Sequence, residues 1–293
     1  MAKHARRAKL MKWFGVGLAI ALSLYGILSL LLYLRQTRLI FFPSSIIEST
    51  PATVGLAFKD VWIGVPAAKG TERIHGWWVP AGTQERGALL YLHGNGDNIG
   101  ANVNHAARFQ RLGLSVLMID YRGYGQSGGA FPSEKTVYED AQAAWDYLTG
   151  PLGYQPEQVM VFGHSLGGAI AINLAVQHPD AAGLIVQGSF TSMQEMAERT
   201  LSFGFLPINW LLTQRFDSLS KVKRLQMPVF YIHGLADHQV PSDMSDRLYE
   251  ASPQPKRLWL VPNAGHNGLA EVAGQAFSNQ VEAFLEQAMP QHR

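Results

Sequence analysis

The sequence predicts an α/β protein: a mostly parallel, doubly wound sheet with a small helical cap, preceded by one transmembrane helix. Three observations carry this reading. Short apolar runs alternate with longer helical patterns through most of the chain. An uncharged run of 22 residues lies near the N-terminus. A glycine-flanked serine, "VFGHSLGGA" at 161–169, stands where one apolar run passes into a helical pattern.

Composition sets the frame. A chain of 293 residues suffices for one sizeable domain with a well-buried core. The formal net charge of +2 hides an asymmetry. Residues 1–47 hold Lys3, Arg6, Arg7, Lys9, Lys12, Arg35 and Arg38 and no acid. Setting those seven aside leaves 17 basic residues against 22 acidic ones, a balance of −5. The body is mildly acidic and has no basic patch, so nucleic acid is not an expected partner. The absence of cysteine excludes disulfides, thiolate metal sites and a thiol nucleophile.

The elements follow in order. Residues 13–34, "WFGVGLAIALSLYGILSLLLYL", span about 33 Å as a helix, enough for a hydrocarbon core of about 30 Å. A cleaved signal peptide is opposed by the length of the run and by the lack of a small-x-small cleavage site. A core helix is opposed by apolar residues on every side. Five basic residues precede the run and two follow it closely. The positive-inside rule then makes 1–12 a cytoplasmic tail and carries the domain across, into the periplasm in a bacterium. Membrane lipid is the expected partner of this signal anchor. Residues 35–58 form a short stem. Its Leu39, Ile40, Phe41 and Phe42 either meet lipid headgroups or pack on the domain, and the sequence leaves both open.

The domain occupies 59–293. "DVWIGV" (60–65) and "RIHGWWV" (73–79) read as an antiparallel hairpin. Strands follow at 88–92, 115–119, 159–162, 183–186, 229–232 and 257–261, with helices near 100–112, 134–149, 166–177, 242–251 and 270–288. Short, continuously apolar strands suit a parallel sheet covered on both faces. One insertion, 193–224, delays the next strand and is rich in large apolar residues. It is expected to form a cap of two short helices, broken near Pro207, with Phe203, Phe205 and Trp210 facing the substrate. "DYRGYGQSGG" (120–129) lacks the Lys-Ser/Thr of a phosphate loop and reads as a structural turn around Asp120 and Arg122.

In open α/β sheets, ligands bind beyond the carboxyl ends of the strands. Four such ends carry chemistry. Ser165 follows 159–162, Asp237 follows 229–232, His266 follows 257–261, and the turn "HGN" follows 88–92. The order Ser, Asp, His is that of a nucleophile, its orienting acid and its base. Serine is a poor nucleophile until a histidine accepts its proton, and a carboxylate behind the histidine fixes the tautomer. The developing oxyanion needs two preorganised donors, assigned here to the amides of Leu166 and Asn95. Asp243 and Asp246 fall in the next helix and read as solvated charges. His93 and His233 read as structural, and His164 as a neighbour that tunes the pocket. This chemistry calls for no cofactor and no metal.

These stretches, with "LIFFPS", "YLHGNGDNIG", "GHSLGGAIA", "GSFTSM", "PVFYIHGLADHQVP" and "AGHNG", resemble the α/β-hydrolase superfamily. The resemblance is narrower to its single-span membrane-anchored serine hydrolases, such as alpha/beta hydrolase domain-containing proteins 13 and 17 and their bacterial relatives. It implies the α/β-hydrolase fold, a Ser165–Asp237–His266 triad, and hydrolysis of esters or thioesters with lipid-like or other apolar acyl groups. The lipidated cysteine cluster of some depalmitoylating relatives is absent, which argues against depalmitoylation. Two other functions fit the same residues: acyl transfer through the same triad, and a catalytically idle binding protein on a hydrolase fold.

Overall fold

The computed structural model describes residues 2–67, 70–82, 84–200 and 206–289. The chain opens with α1 (Ala2–Ile40) and passes into β1 (Phe42–Pro43), which pairs in parallel with β5 (Gly96–Asp97). The main sheet holds β2 (Lys59–Pro66), β3 (Thr71–Val79), β4 (Gly87–Leu92), β6 (Leu114–Ile119), β7 (Val159–His164), β8 (Gly183–Gln187), β9 (Val229–Gly234) and β10 (Lys256–Val261). Their spatial order is β10-β9-β8-β7-β4-β6-β3-β2. The hairpin β2–β3 and the β3–β6 pair are antiparallel, and all other pairs of this sheet are parallel. This is the predicted α/β-hydrolase architecture, with every predicted strand present.

The strand sequences explain why both faces are covered. Side chains alternate across a strand, so a run that is apolar at every position presents an apolar surface to each side. In β4, Leu90 and Leu92 join one buried cluster while Leu89 and Tyr91 join the other. The first cluster is closed by α3 (Glu134–Thr149), α4 (Leu166–Ala175) and α8 (Asp243–Ala251), through Val137, Ile170 and Leu248. The second is closed by α2 (Val103–Arg111) and α10 (Gln275–Ala288), through Phe109, Phe277 and Phe284. The expected single helix over 270–288 is two. Gly274, with φ +56°, leaves the helical region and separates α9 (Leu269–Ala273) from α10.

The insertion after β8 also differs from expectation. It forms α5 (Met193–Thr200), α6 (Ile208–Leu211) and α7 (Ser218–Lys221), with Pro207 capping α6 where its missing N–H costs nothing. The last third of 193–224 is not cap. Phe216 and Val222 are fully buried in the same cluster as α4.

The helix α1 runs past the predicted span at both ends, so the first six residues of the predicted stem are helical. Among the described residues it is the one helix long and apolar enough to cross a membrane, by length and composition. Its apolar side chains, such as Phe14, Leu22 and Leu34, are exposed, unlike those of a core helix. The four stem residues divide: Ile40 and Phe41 are buried in the core, while Leu39 and Phe42 stay more than half exposed.

The 120–129 turn is structural. The Asp120 carboxylate accepts the Ile99 amide at 2.8 Å. The Arg122 guanidinium donates to Asp140 at 2.7 Å, to Glu139 at 2.7 Å and to the carbonyls of Pro66 and Thr136.

Candidate active site

The site begins with a backbone constraint. Ser165 lies between β7 and α4 at φ 54°, ψ −120°, a conformation that L side chains rarely adopt. The flanking glycines are required by packing. A Cβ on Gly163 would stand 2.2 Å from the Gly167 carbonyl oxygen, and one on Gly167 would stand 2.1 Å from that of Leu92. Their absence lets β7, α4 and the end of β4 close on one another and lifts the Ser165 side chain onto the sheet's carboxyl edge.

The four strand ends converge there. Ser165 Oγ donates to His266 Nε2 at 2.9 Å, and His266 Nδ1 donates to Asp237 Oδ2 at 2.7 Å. The carboxylate fixes the tautomer, because an acceptor facing Nδ1 keeps the proton there and leaves Nε2 free to accept. Gly188, at φ +58° after β8, keeps its Cα side open beside the ring; a Cβ there would lie 3.6 Å from His266 Cε1.

Asp237 is nearly buried, and burial by itself would raise its pKa. Hydrogen bonds from His233, His266 and the Val240 amide outweigh burial and hold the carboxyl below the usual carboxylate range. Its Oδ1 accepts the amides of Gln239 at 2.8 Å and Val240 at 2.9 Å. His233 is therefore a site residue that the sequence reading placed only in the scaffold. Its Nε2 faces two acceptors, the Val240 carbonyl at 2.9 Å and Asp237 Oδ2 at 3.2 Å, so it carries the proton. Its Nδ1 accepts from the Ser245 hydroxyl at 2.6 Å. The signal was its place at the end of β9, four residues before Asp237. His164 Nε2 donates to the His266 carbonyl at 3.2 Å, and burial, followed by the neighbouring His266, pushes its pKa down to about 4. It steadies the loop of the base as a neutral ring. Asp243 instead pairs with Arg199 at 2.7 Å on the surface.

Leu166 and Asn95, the expected oxyanion donors, line the same cavity as Ser165. Leu166 is the first residue of α4, where the helix offers its N–H no acceptor. Asn95 follows β4 and is held from three sides. Its carbonyl accepts the Phe42 amide at 2.9 Å and the Tyr124 hydroxyl at 2.7 Å, and its side chain donates to the Ile40 carbonyl at 2.9 Å.

A cavity of about 450 Å³ opens over these groups, with Ser165, Leu166, Asn95 and His266 on its floor. Met193, Met196, Ile208 and Leu211 line it from the cap, and four residues of α1 form a further part of its wall. Of the three predicted pocket residues, Phe203 and Phe205 lie outside the described residues. The expectation for Trp210 is corrected: it is 88 % exposed and absent from the cavity wall. In the single turn of α6, Ile208 and Leu211 occupy the inner face, which turns the residue two positions after Ile208 outward.

The strain at Ser165 has a measurable consequence. Both Ser165→Gly and Ser165→Ala remove the hydroxyl, but only glycine relieves the backbone. After allowance for glycine's greater freedom when unfolded, the Gly variant is expected to be more stable by about 1 kcal/mol, or about 2–4 °C in Tm. Thermal melts of the two proteins check this, and an Ala variant at least as stable as the Gly variant contradicts it.

A family model described as serine aminopeptidase, S33 matches residues 83–221, and one described as PhoPQ-activated pathogenicity-related protein matches residues 207–293. The chain is 35% identical to uncharacterized protein Rv2307c of Mycobacterium tuberculosis over 267 residues, 91% of this chain and 92% of that one. It is 29% identical to alpha/beta hydrolase domain-containing protein WAV2 of Arabidopsis thaliana over 285 residues, 90% of this chain and 91% of that one. Among solved structures, the Pyrococcus furiosus esterase Pf2001 superposes with a TM-score of 0.70 at 22% identity, covering 85% of this chain and 99% of that one; this likeness carries the fold alone. Fold and kinship agree: the chain has the α/β-hydrolase fold and belongs to the family of the mycobacterial Rv2307c.

Proposed function

We propose that this protein is a membrane-anchored serine hydrolase that cleaves carboxylic esters or thioesters of apolar acyl groups through an acyl-enzyme on Ser165. The observation that carries the reading is the Ser165–His266–Asp237 relay opening into an apolar cavity. Ser165 Oγ attacks the acyl carbonyl while His266 Nε2 takes its proton. The carbonyl electron pair moves to oxygen, where the amides of Leu166 and Asn95 receive it; one such donor is worth about 3 kcal/mol. As the tetrahedral centre collapses, the bond to the alcohol or thiol breaks and His266 returns the proton to that leaving group. Water then repeats the cycle on the acyl-enzyme and releases the acid. Asp237 stays ionised throughout and stabilises the imidazolium.

The narrower kinship with the single-span hydrolases resembling domain-containing proteins 13 and 17 is part of this proposal. It rests on the pairing of a long apolar α1 with the triad. Each acyl methylene buried in the cavity contributes up to about 0.8 kcal/mol, so medium and long acyl esters should outrun acetyl esters.

The test is covalent labelling with a fluorophosphonate and turnover of acyl esters of graded length. The wild type should label and should favour octanoyl over acetyl ester in kcat/KM. A folded Ser165→Ala protein should lose labelling and turnover, His266→Ala should lose turnover to a similar extent, and Asp237→Asn should fall by orders of magnitude without total loss. Labelling that survives in folded Ser165→Ala rules the nucleophile out, and equal rates for octanoyl and acetyl esters rule out the acyl pocket.

The anchor reading places the N-terminus in the cytoplasm and the domain on the far side of the membrane. A reporter fused after Arg293 should be active only outside the cytoplasm, and the mature protein should retain the residues before Arg35. A mature N-terminus near residue 35 refutes the anchor, and a reporter active in the cytoplasm refutes the orientation.

A further inference from the structure

We propose that α1 is part of the substrate site as well as an anchor. Its last turns form one wall of the acyl pocket, and the substrate is a long-chain ester lodged in the same bilayer leaflet, whose chain enters along this helix. The inference rests on the hydrolase reading and names its substrate class.

The first observation is the wall itself. Leu32, Gln36, Leu39 and Ile40 line the cavity that holds Ser165 and His266. Their spacing of i, i+4, i+7 and i+8 is one face of a helix.

The second is that this face is built into the domain. Gln36 is buried, and its Oε1 accepts the amides of Thr213 at 2.7 Å and Gln214 at 3.2 Å, while Nε2 donates to the Leu211 carbonyl at 3.3 Å. Leu211 ends α6, and Thr213 and Gln214 lie in the irregular segment that returns from the cap. Phe41 meets Phe216 edge-on at 6.1 Å further along the same segment. On the other side, the Ile40 carbonyl holds the Asn95 side chain, and Phe42 holds the Asn95 carbonyl. One helix end thus grips both the cap and the oxyanion turn.

The third is depth. The apolar run ends at Leu34, and Leu39 lies about 7–8 Å further along the axis. The interfacial layer of a bilayer is about 5–8 Å thick on each side. The pocket wall from Leu32 to Ile40 therefore crosses the boundary between hydrocarbon and headgroup, the depth at which the ester groups of lipids lie. Arg35 and Arg38, exposed just past the run, fit that headgroup layer. An acyl chain leaving the hydrocarbon at this height meets the pocket without crossing water.

The test uses the full-length protein in phospholipid nanodiscs. A long-chain fluorophosphonate with a diazirine at its chain end is reacted with Ser165, irradiated, and the crosslinked peptides are mapped. Crosslinks should fall on residues 32–40 as well as on the cap. Crosslinks confined to other elements overturn the wall. In parallel, Leu32→Trp combined with Leu39→Trp should lower the ratio of kcat/KM for a vesicle-borne long-chain ester to that for acetyl ester by about tenfold or more, since one methylene in an apolar pocket is worth roughly that much. Leu34→Trp, two residues away and on the opposite face, should leave the ratio unchanged. An unchanged ratio in the double variant overturns the proposal, and so does preferred turnover of a palmitoylated peptide over the vesicle lipid. A wild type that fails to label at Ser165 removes the hydrolase reading itself, which keeps the two failures apart.

Discussion

The site depends on a place where no side chain fits. At Gly163 and Gly167 a single added carbon would meet carbonyl oxygens little more than 2 Å away. That close approach of β7, α4 and the end of β4 holds Ser165 at a positive φ, and the strain of order 1–3 kcal/mol is held by the surrounding sheet. The same turn makes Leu166 the first residue of a helix and places it on the cavity wall. The proposed nucleophile and one proposed oxyanion donor thus come from a single turn, and Asn95 is brought beside them because β4 is the next strand in the sheet.

The acid of the relay is set by a balance of opposing effects. Burial would neutralise Asp237, and three hydrogen-bonding groups prevent it. Because its folded-state pKa is depressed, the stabilisation is present at neutral pH and is lost only as the pH falls below the ordinary carboxylate range. An ionised Asp237 holds His266 with Nε2 toward Ser165 at neutral pH. His233 contributes through the shared carboxylate, and its own tautomer is fixed by Ser245 behind it.

Much of this was legible in the sequence because it is local. Strand ends are marked where apolar runs stop, and the triad residues sit within a few positions of those stops. The elbow is marked by its glycines. What was not legible is tertiary. Trp210 looks like a pocket residue by size alone, yet its place on a one-turn helix turns it outward. His233 has the same local setting as His93, and only the fold shows that it faces Asp237. The apolar run of α1 reads as a candidate membrane span, but nothing in residues 32–40 announces the wall of the cavity. That role arises from contacts with segments more than 170 positions away, such as Gln36 with Leu211 and Thr213. Gly274 shows a smaller failure of the same kind, since helical periodicity on both sides masked the break.

Because α1 is coupled to the cap and to the turn carrying Asn95, the geometry around Ser165 is held partly by this long apolar helix. The central claim is that catalysis passes through a covalent acyl group on Ser165. Its most direct measurement is peptide mass spectrometry of the full-length protein, acid-quenched while it turns over a long-chain ester. The account predicts the acyl mass on the peptide carrying Ser165, at an occupancy that decays once substrate is exhausted. Sustained turnover with Ser165 unmodified at every quench time contradicts it.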